Sequence, residues 1–146
     1  MQLIPHRGID GILLGAERDT VVRELGKPEK SGREEWEDGV ISETWVYRLM
    51  RLELSFDSDN DFLLSRITAS HPHLAIQSFN PIGLEEGYLL QKYPHLDLEA
   101  NLGANGKQYI DRLLDLSYWL SKGKVESVTV FPQYDQASDQ IAWPAI

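Results

Sequence analysis

Histidines and carboxylates are where chemistry would be sought first, because only they can trade protons near neutral pH. His95 stands close to Asp97 and Glu99, a spacing that suits a base with an orienting carboxylate. The three follow Pro94, which ends a helical pattern, so their side chains are expected to be exposed. His71 and His73 could share a metal ion, yet no third ligand stands near them in the chain, and an exposed proline-flanked linker is the simpler expectation. Asp57-Ser58-Asp59-Asn60-Asp61 looks at first like a calcium loop. It lacks the glycine and the terminal glutamate of such a loop and lies between strand patterns, so it reads as a solvated hairpin turn. Gly103-Ala104-Asn105-Gly106 leads into a strand pattern at Lys107 to Asp111, whereas phosphate-binding loops open into a helix. No nucleophile motif, zinc-protease signature, phosphate loop or dinucleotide fingerprint occurs. The expectation is a protein without catalytic residues, metal or cofactor. The alternative is a small hydrolase or ligand-binding enzyme using His95 and Asp97, or His71 and His73.

The elements that would position these groups follow from periodicity. Gly11 to Pro28 predicts a short helix from about Glu17 to Leu25, with Val21, Val22 and Leu25 on its buried stripe. Gly26 and Pro28 end it. Glycines ahead of a helix invite an anion, but an echo of the stretch at Ile82 to Pro94 makes it scaffold instead. Glu29 to Gly39 reads as a loop or a short edge strand. Three strands are predicted after it, at about 40–48, 51–57 and 62–70, the middle one alternating Leu52, Leu54 and Phe56 with Glu53 and Ser55. Further on, Leu114 to Tyr118 parallels Leu52 to Phe56, and Val125 to Thr129 parallels Leu64 to Thr68. Three matches in one order predict an internal duplication. The predicted fold class is therefore α+β: two tandem helix-plus-antiparallel-strand repeats, about 8–70 and 80–132, form one continuous sheet with helices on one face. The chain is read as a single domain over 1–146, with a C-terminal tail at 133–146.

The pattern Gly11-Ile12-Leu13-Leu14-Gly15, Val21 to Leu25, Gly26-Lys27-Pro28 is similar to the repeat unit of the beta-lactamase inhibitor protein fold. Outer-membrane assembly lipoproteins of the SmpA/OmlA type share that unit. The resemblance implies tandem copies whose open sheet face binds proteins. Those relatives are secreted and disulfide-bonded, or lipid-anchored through cysteine, and this chain has no cysteine. In size, acidity and repeat pattern it looks like a cytoplasmic bacterial immunity protein, one that neutralises a toxin domain.

Composition agrees with a binder more than with a nucleic-acid or membrane protein. The formal net charge is -9 across 146 residues, opposite in sign to what a phosphate backbone attracts. No apolar run is long enough to span a bilayer and no signal-peptide pattern opens the chain, so a cytoplasmic location is expected. Strand parity then names a face. With Leu52, Leu54 and Phe56 inward, Glu53 points out, and so do Asp115 and Trp119, with Phe131 from the last strand. Trp45 and Tyr47 share the parity of Glu43 and are placed outside with it. Trp45, Tyr47, Glu53, Asp115, Trp119 and Phe131 are thus the candidate partner-binding residues. The expected function is a non-enzymatic module, an inhibitor or immunity protein that occludes a basic site on a partner protein. A structural adaptor in a larger assembly is a further alternative. Folding of the tail, through Tyr134, Ile141, Trp143 and Ile146, the last of which lies outside the residues described below, over the same aromatics, or pairing of two chains through them, would turn that face into core.

Overall fold

The computed structural model describes residues 1–145. Strand alternation dominates it. The largest element is an eight-stranded antiparallel sheet made of β4 (Lys30–Glu35), β5 (Ile41–Tyr47), β6 (Leu52–Asp57), β7 (Leu63–Ala69), β9 (Asp97–Asn101), β10 (Lys107–Asp111), β11 (Leu116–Ser121) and β12 (Lys124–Val130). Their order is β4-β5-β6-β7-β12-β11-β10-β9, two meanders joined side by side where Ile67, Thr68 and Ala69 face Val130, Thr129 and Val128. A second sheet, ordered β3-β2-β1-β8, is built from segments of two or three residues: β1 (Gln2–Ile4), β2 (Gly8–Ile9), β3 (Ile12–Leu13) and β8 (Ala75–Ile76). Gly8 makes its tight β2–β3 corner possible, since a Cβ there would stand 1.9 Å from the carbonyl oxygen of Ile12. Two helices, α1 (Arg18–Leu25) and α2 (Glu86–Lys92), precede the two meanders, and a terminal hairpin joins β13 (Gln133–Asp135) to β14 (Gln140–Ala142).

One core unites these pieces. Leu54, Phe56, Ile67, Tyr118, Leu120 and Val128 project from the inner face of the large sheet, and Leu3, Ile9 and Ile76 come from the small one. Each helix contributes a single buried residue, Val21 from α1 and Leu89 from α2. Helices of 8 and 7 residues are too short to be stable alone. Packing holds them in place.

The expectation of an α+β fold made of two tandem helix-plus-strand repeats, with helices on one face, is therefore corrected. The chain is mostly β, 46% strand against 14% helix, with large antiparallel sheets and two helices among the described residues. The small sheet accounts for much of the difference. Its strands, of two or three residues each, are too short to show alternation in the sequence.

Candidate functional site

The outer face of the large sheet carries the residues that the inner face rejects. Register places Val46, Glu53, Thr68, Thr129 and Ser117 in one row across five strands, and Ser127 and Trp119 opposite each other in the next. Around them lies an open depression of about 380 Å³, lined by Arg48, Arg51, Glu53, Thr68, Trp119 and Glu126 among others. A bulge supplies one of these side chains. Trp119 pairs with Ser127 but Leu120 pairs with Val125, which leaves Glu126 unpaired and turned toward the depression. Half-buried Trp119 has its own seat. Its ring lies over Gly106, where a Cβ would come within 2.1 Å of Cζ2. Among the described residues, Arg48, Arg51, Glu53 and Glu126 have no ion-pair partner within 4.0 Å. Two guanidiniums, two carboxylates and an indole edge are thus available to an incoming surface.

Elsewhere on this face the polar groups are occupied. Asp57 Oδ1 accepts hydrogen bonds from Ser42 Oγ at 2.7 Å and Ser55 Oγ at 3.2 Å. Arg66 stands 3.4 Å from Asp57 Oδ2 and donates to Ser55 Oγ at 2.7 Å, while Trp36 Nε1 donates to Ser42 Oγ at 2.9 Å. Asp57 and both serines are buried, so this cluster closes on itself.

The six predicted partner-binding residues separate into three groups. Glu53 and Trp119 meet in the depression. Asp115 and Phe131 lie together at the far end of the β11–β12 pair, where the Phe131 N–H donates to the Asp115 carbonyl at 3.1 Å and the Asp115 carboxylate takes His6 Nε2 at 2.8 Å. Trp45 and Tyr47 are corrected to the inner face, at 8% and 2% exposure. The parity with Glu43 is right, and the inference from its charge is wrong. Glu43 itself faces inward, where Arg18 at 3.1 Å and Arg33 at 2.9 Å grip it and Trp45 Nε1 donates to it at 3.1 Å. Burial opposes ionisation of Glu43, but hydrogen bonds from Arg33 and Arg18 outweigh it and hold the carboxyl below its ordinary value. Tyr47 reaches the helix end, its hydroxyl donating to the Gly26 carbonyl at 2.8 Å.

His95 does find a carboxylate, but a different one. Its Nε2 lies 3.0 Å from Asp111 Oδ2, while Asp97 and Glu99 both hold Arg112. Asp111 is fully buried, and its other oxygen accepts the N–H groups of Leu113 and Leu114 at 3.0 Å each. That makes Asp111 the anchor of the β10–β11 turn, with His95 as a further partner. Tyr93 and Tyr118 pack beside it, and burial pushes both phenols above their ordinary value. The rings of His71 and His73 stand 5.5 Å apart, with the His73 N–H donating to His71 Nδ1. Among the described residues no three His, Asp or Glu side chains converge as a metal site. Among the described residues no helix is long and apolar enough to cross a membrane.

Sequence reasoning missed Arg48, Arg51, Glu126 and Gly106. The two arginines flank the predicted β5–β6 turn and were legible as its shoulders, whereas the bulge at Glu126 leaves no mark on alternation. The tail hairpin pairs with itself, leaves Tyr134 half-exposed and sends Trp143 onto Gly15 beside α1. No family model, curated protein or solved structure matches the chain.

Proposed function

We propose that this protein is a non-enzymatic binding module that engages a basic partner protein through the outer face around Trp119, acting as an inhibitor or immunity protein by occlusion. The observation that carries the reading is the depression itself, where a seated tryptophan stands among four charges that have no ion-pair partner among the described residues. An aromatic anchor ringed by charge is the usual make-up of an interface centre. Glu53 and Glu126 supply the attraction for a basic site, and the overall charge of -9 steers it in. Arg48 and Arg51 restrict orientation, because a wholly basic surface would meet them unfavourably.

Affinity capture from native extract tests it, with wild type beside Trp119→Ala and Glu53→Lys. Wild type should retain one stoichiometric partner that salt releases, and each variant should lose it by tenfold or more, the effect of an anchor contributing about 1.4 kcal/mol or above. Equal retention by the variants, or self-association alone, overturns the proposal.

A further inference from the structure

Gly11 to Pro28, the stretch whose glycines suggested an anion site, borders a cavity of the opposite character. It measures about 570 Å³ and lies between β3, α1 and the C-terminal tail. Its apolar lining includes Ile12, Leu14 and Val21, all buried, and the indole of Trp143. Gly15, at φ 88°, makes that wall possible: a Cβ there would stand 3.0 Å from Trp143 Cε3 and 3.1 Å from Cδ2. One face of α1 completes the cavity. Thr20, Val21 and Glu24 follow Glu17 at i+3, i+4 and i+7, which on a helix is a single stripe.

The charged side chains that line the cavity are both acidic, although the Arg23 guanidinium donates to Thr20 Oγ1 at 3.2 Å. Glu17 and Glu24 are exposed, neither belongs to an ion pair among the described residues, and no side chain lining the cavity is cationic. Glu24 also sits in the last turn of α1, where free carbonyls form the negative end of the helix. The lining itself therefore favours a cation over an anion. Glu17 and Glu24 lie about 10 Å apart along the axis, a span that suits a small molecule or one long side chain.

We propose that this cavity binds a small organic cation, a protonated amine carried on an aromatic or aliphatic body of about ten non-hydrogen atoms, for which its volume is in the ordinary range. The body lies against Ile12, Leu14 and Trp143, and the ammonium is held at the mouth by one of the two glutamates, Glu17 or Glu24. Both parts are required. An apolar molecule without the charge loses the ion pair, and a bare ammonium loses the burial.

The site shares no residue with the depression around Trp119, so it stands or falls separately from the protein-binding reading. The test is a titration of the ¹⁵N-labelled protein, followed by amide resonances, with tryptamine and octylamine as probes and 3-ethylindole and indole-3-propionate as neutral and anionic comparators. At least one amine should give saturable shifts at Gly11, Gly15, Thr20 and Val21 while Thr68 and Ser127 stay in place. The combined variant Glu17→Gln with Glu24→Gln, both surface positions, should weaken that binding by about threefold to tenfold. Trp143→Ala should weaken both amines and the neutral comparator together. The proposal is overturned if neither amine saturates these resonances at up to about 5 mM. Equal affinity for 3-ethylindole and tryptamine, or an unchanged affinity in the double glutamine variant, overturns it as well.

Discussion

Two polar regions share the outer face of the large sheet, and they differ in whom their side chains answer to. Around Asp57, a carboxylate, two serine hydroxyls, a guanidinium and an indole N–H all satisfy one another. Around Trp119, four charges stand without partners among the described residues, and the ring rests on a glycine. Each region has a bulge next to it, at Ser65 in the β6–β7 pair and at Glu126 in the β11–β12 pair. The first bulge turns its side chain into the network, where the Ser65 hydroxyl accepts from Asn60 and donates to the Leu63 carbonyl. The second turns a glutamate toward solvent. Similar local geometry thus gives a closed cluster in one place and an open one in the other, and the deciding variable is the residue at the bulge.

Removing Asp57 should separate the two regions most sharply. Asp57→Ala leaves Ser42, Ser55 and Arg66 without their acceptor in a buried setting, and urea unfolding should show a loss of about 3 kcal/mol. A loss no larger than that of an ordinary surface change would mean the cluster is not closed. Gly106→Ala comes next. The added methyl should unseat the Trp119 ring at a stability cost of about 1–2 kcal/mol, with partner capture falling as far as it does in Trp119→Ala. Intact capture with a displaced ring would detach the anchor from its seat.

The smallest effect concerns pH, at a third site that belongs to neither region. Hydrogen bonds from Tyr109 and Lys107 hold the Glu86 carboxyl below its ordinary value. Tyr109 moves the other way, pushed up to about 12 by burial and then by the hydrogen bond to Glu86. In the unfolded chain Glu86 takes up its proton near pH 4.3, whereas in the fold it stays ionised to lower pH. Its contribution is present above that pH and disappears as pH falls through the lower folded value. Glu86→Gln should therefore reduce stability at pH 6 by about 1 kcal/mol or less, and the gap from wild type should shrink toward pH 3. A gap that widens on acidification would reverse the sign of this argument.

Leu52, Leu54 and Phe56 alternate with Glu53, and β6 lies where that pattern put it. The extent of α1 was legible too, because Val21 packs inward and Gly26 ends the helix. Parity assigned Glu53 and Trp119 correctly to the outer face, since a side-chain period of two survives any detail of packing. It failed for Trp45 and Tyr47 because parity tells which residues share a face and not which face that is. A glutamate in a strand reads as the mark of solvent, whereas the two arginine partners of Glu43 arrive from α1 and β4, which no local pattern could announce. Asp111 was missed as the partner of His95 for the same reason, being a contact across separate elements. Of the mixed charge of the depression, Arg48 and Arg51 flank a turn that alternation places, whereas Glu126 depends on a bulge that the order of residues does not display.

The small sheet has one pairing unlike all the others among the described residues: β1 runs parallel to β8, with Gln2 opposite Ala75 and Leu3 opposite Ile76. During synthesis the edge of β1 that faces β8 therefore stays open until the middle of the chain has left the ribosome. Leu3, which ends among the most deeply buried side chains, must wait in water meanwhile. Contacts between distant parts of a chain are slow to form, and the apolar segments that wait for them are open to wrong partners. The first meander, local in its pairings, can assemble earlier and offer its inner face as the surface on which that latecomer finally lands.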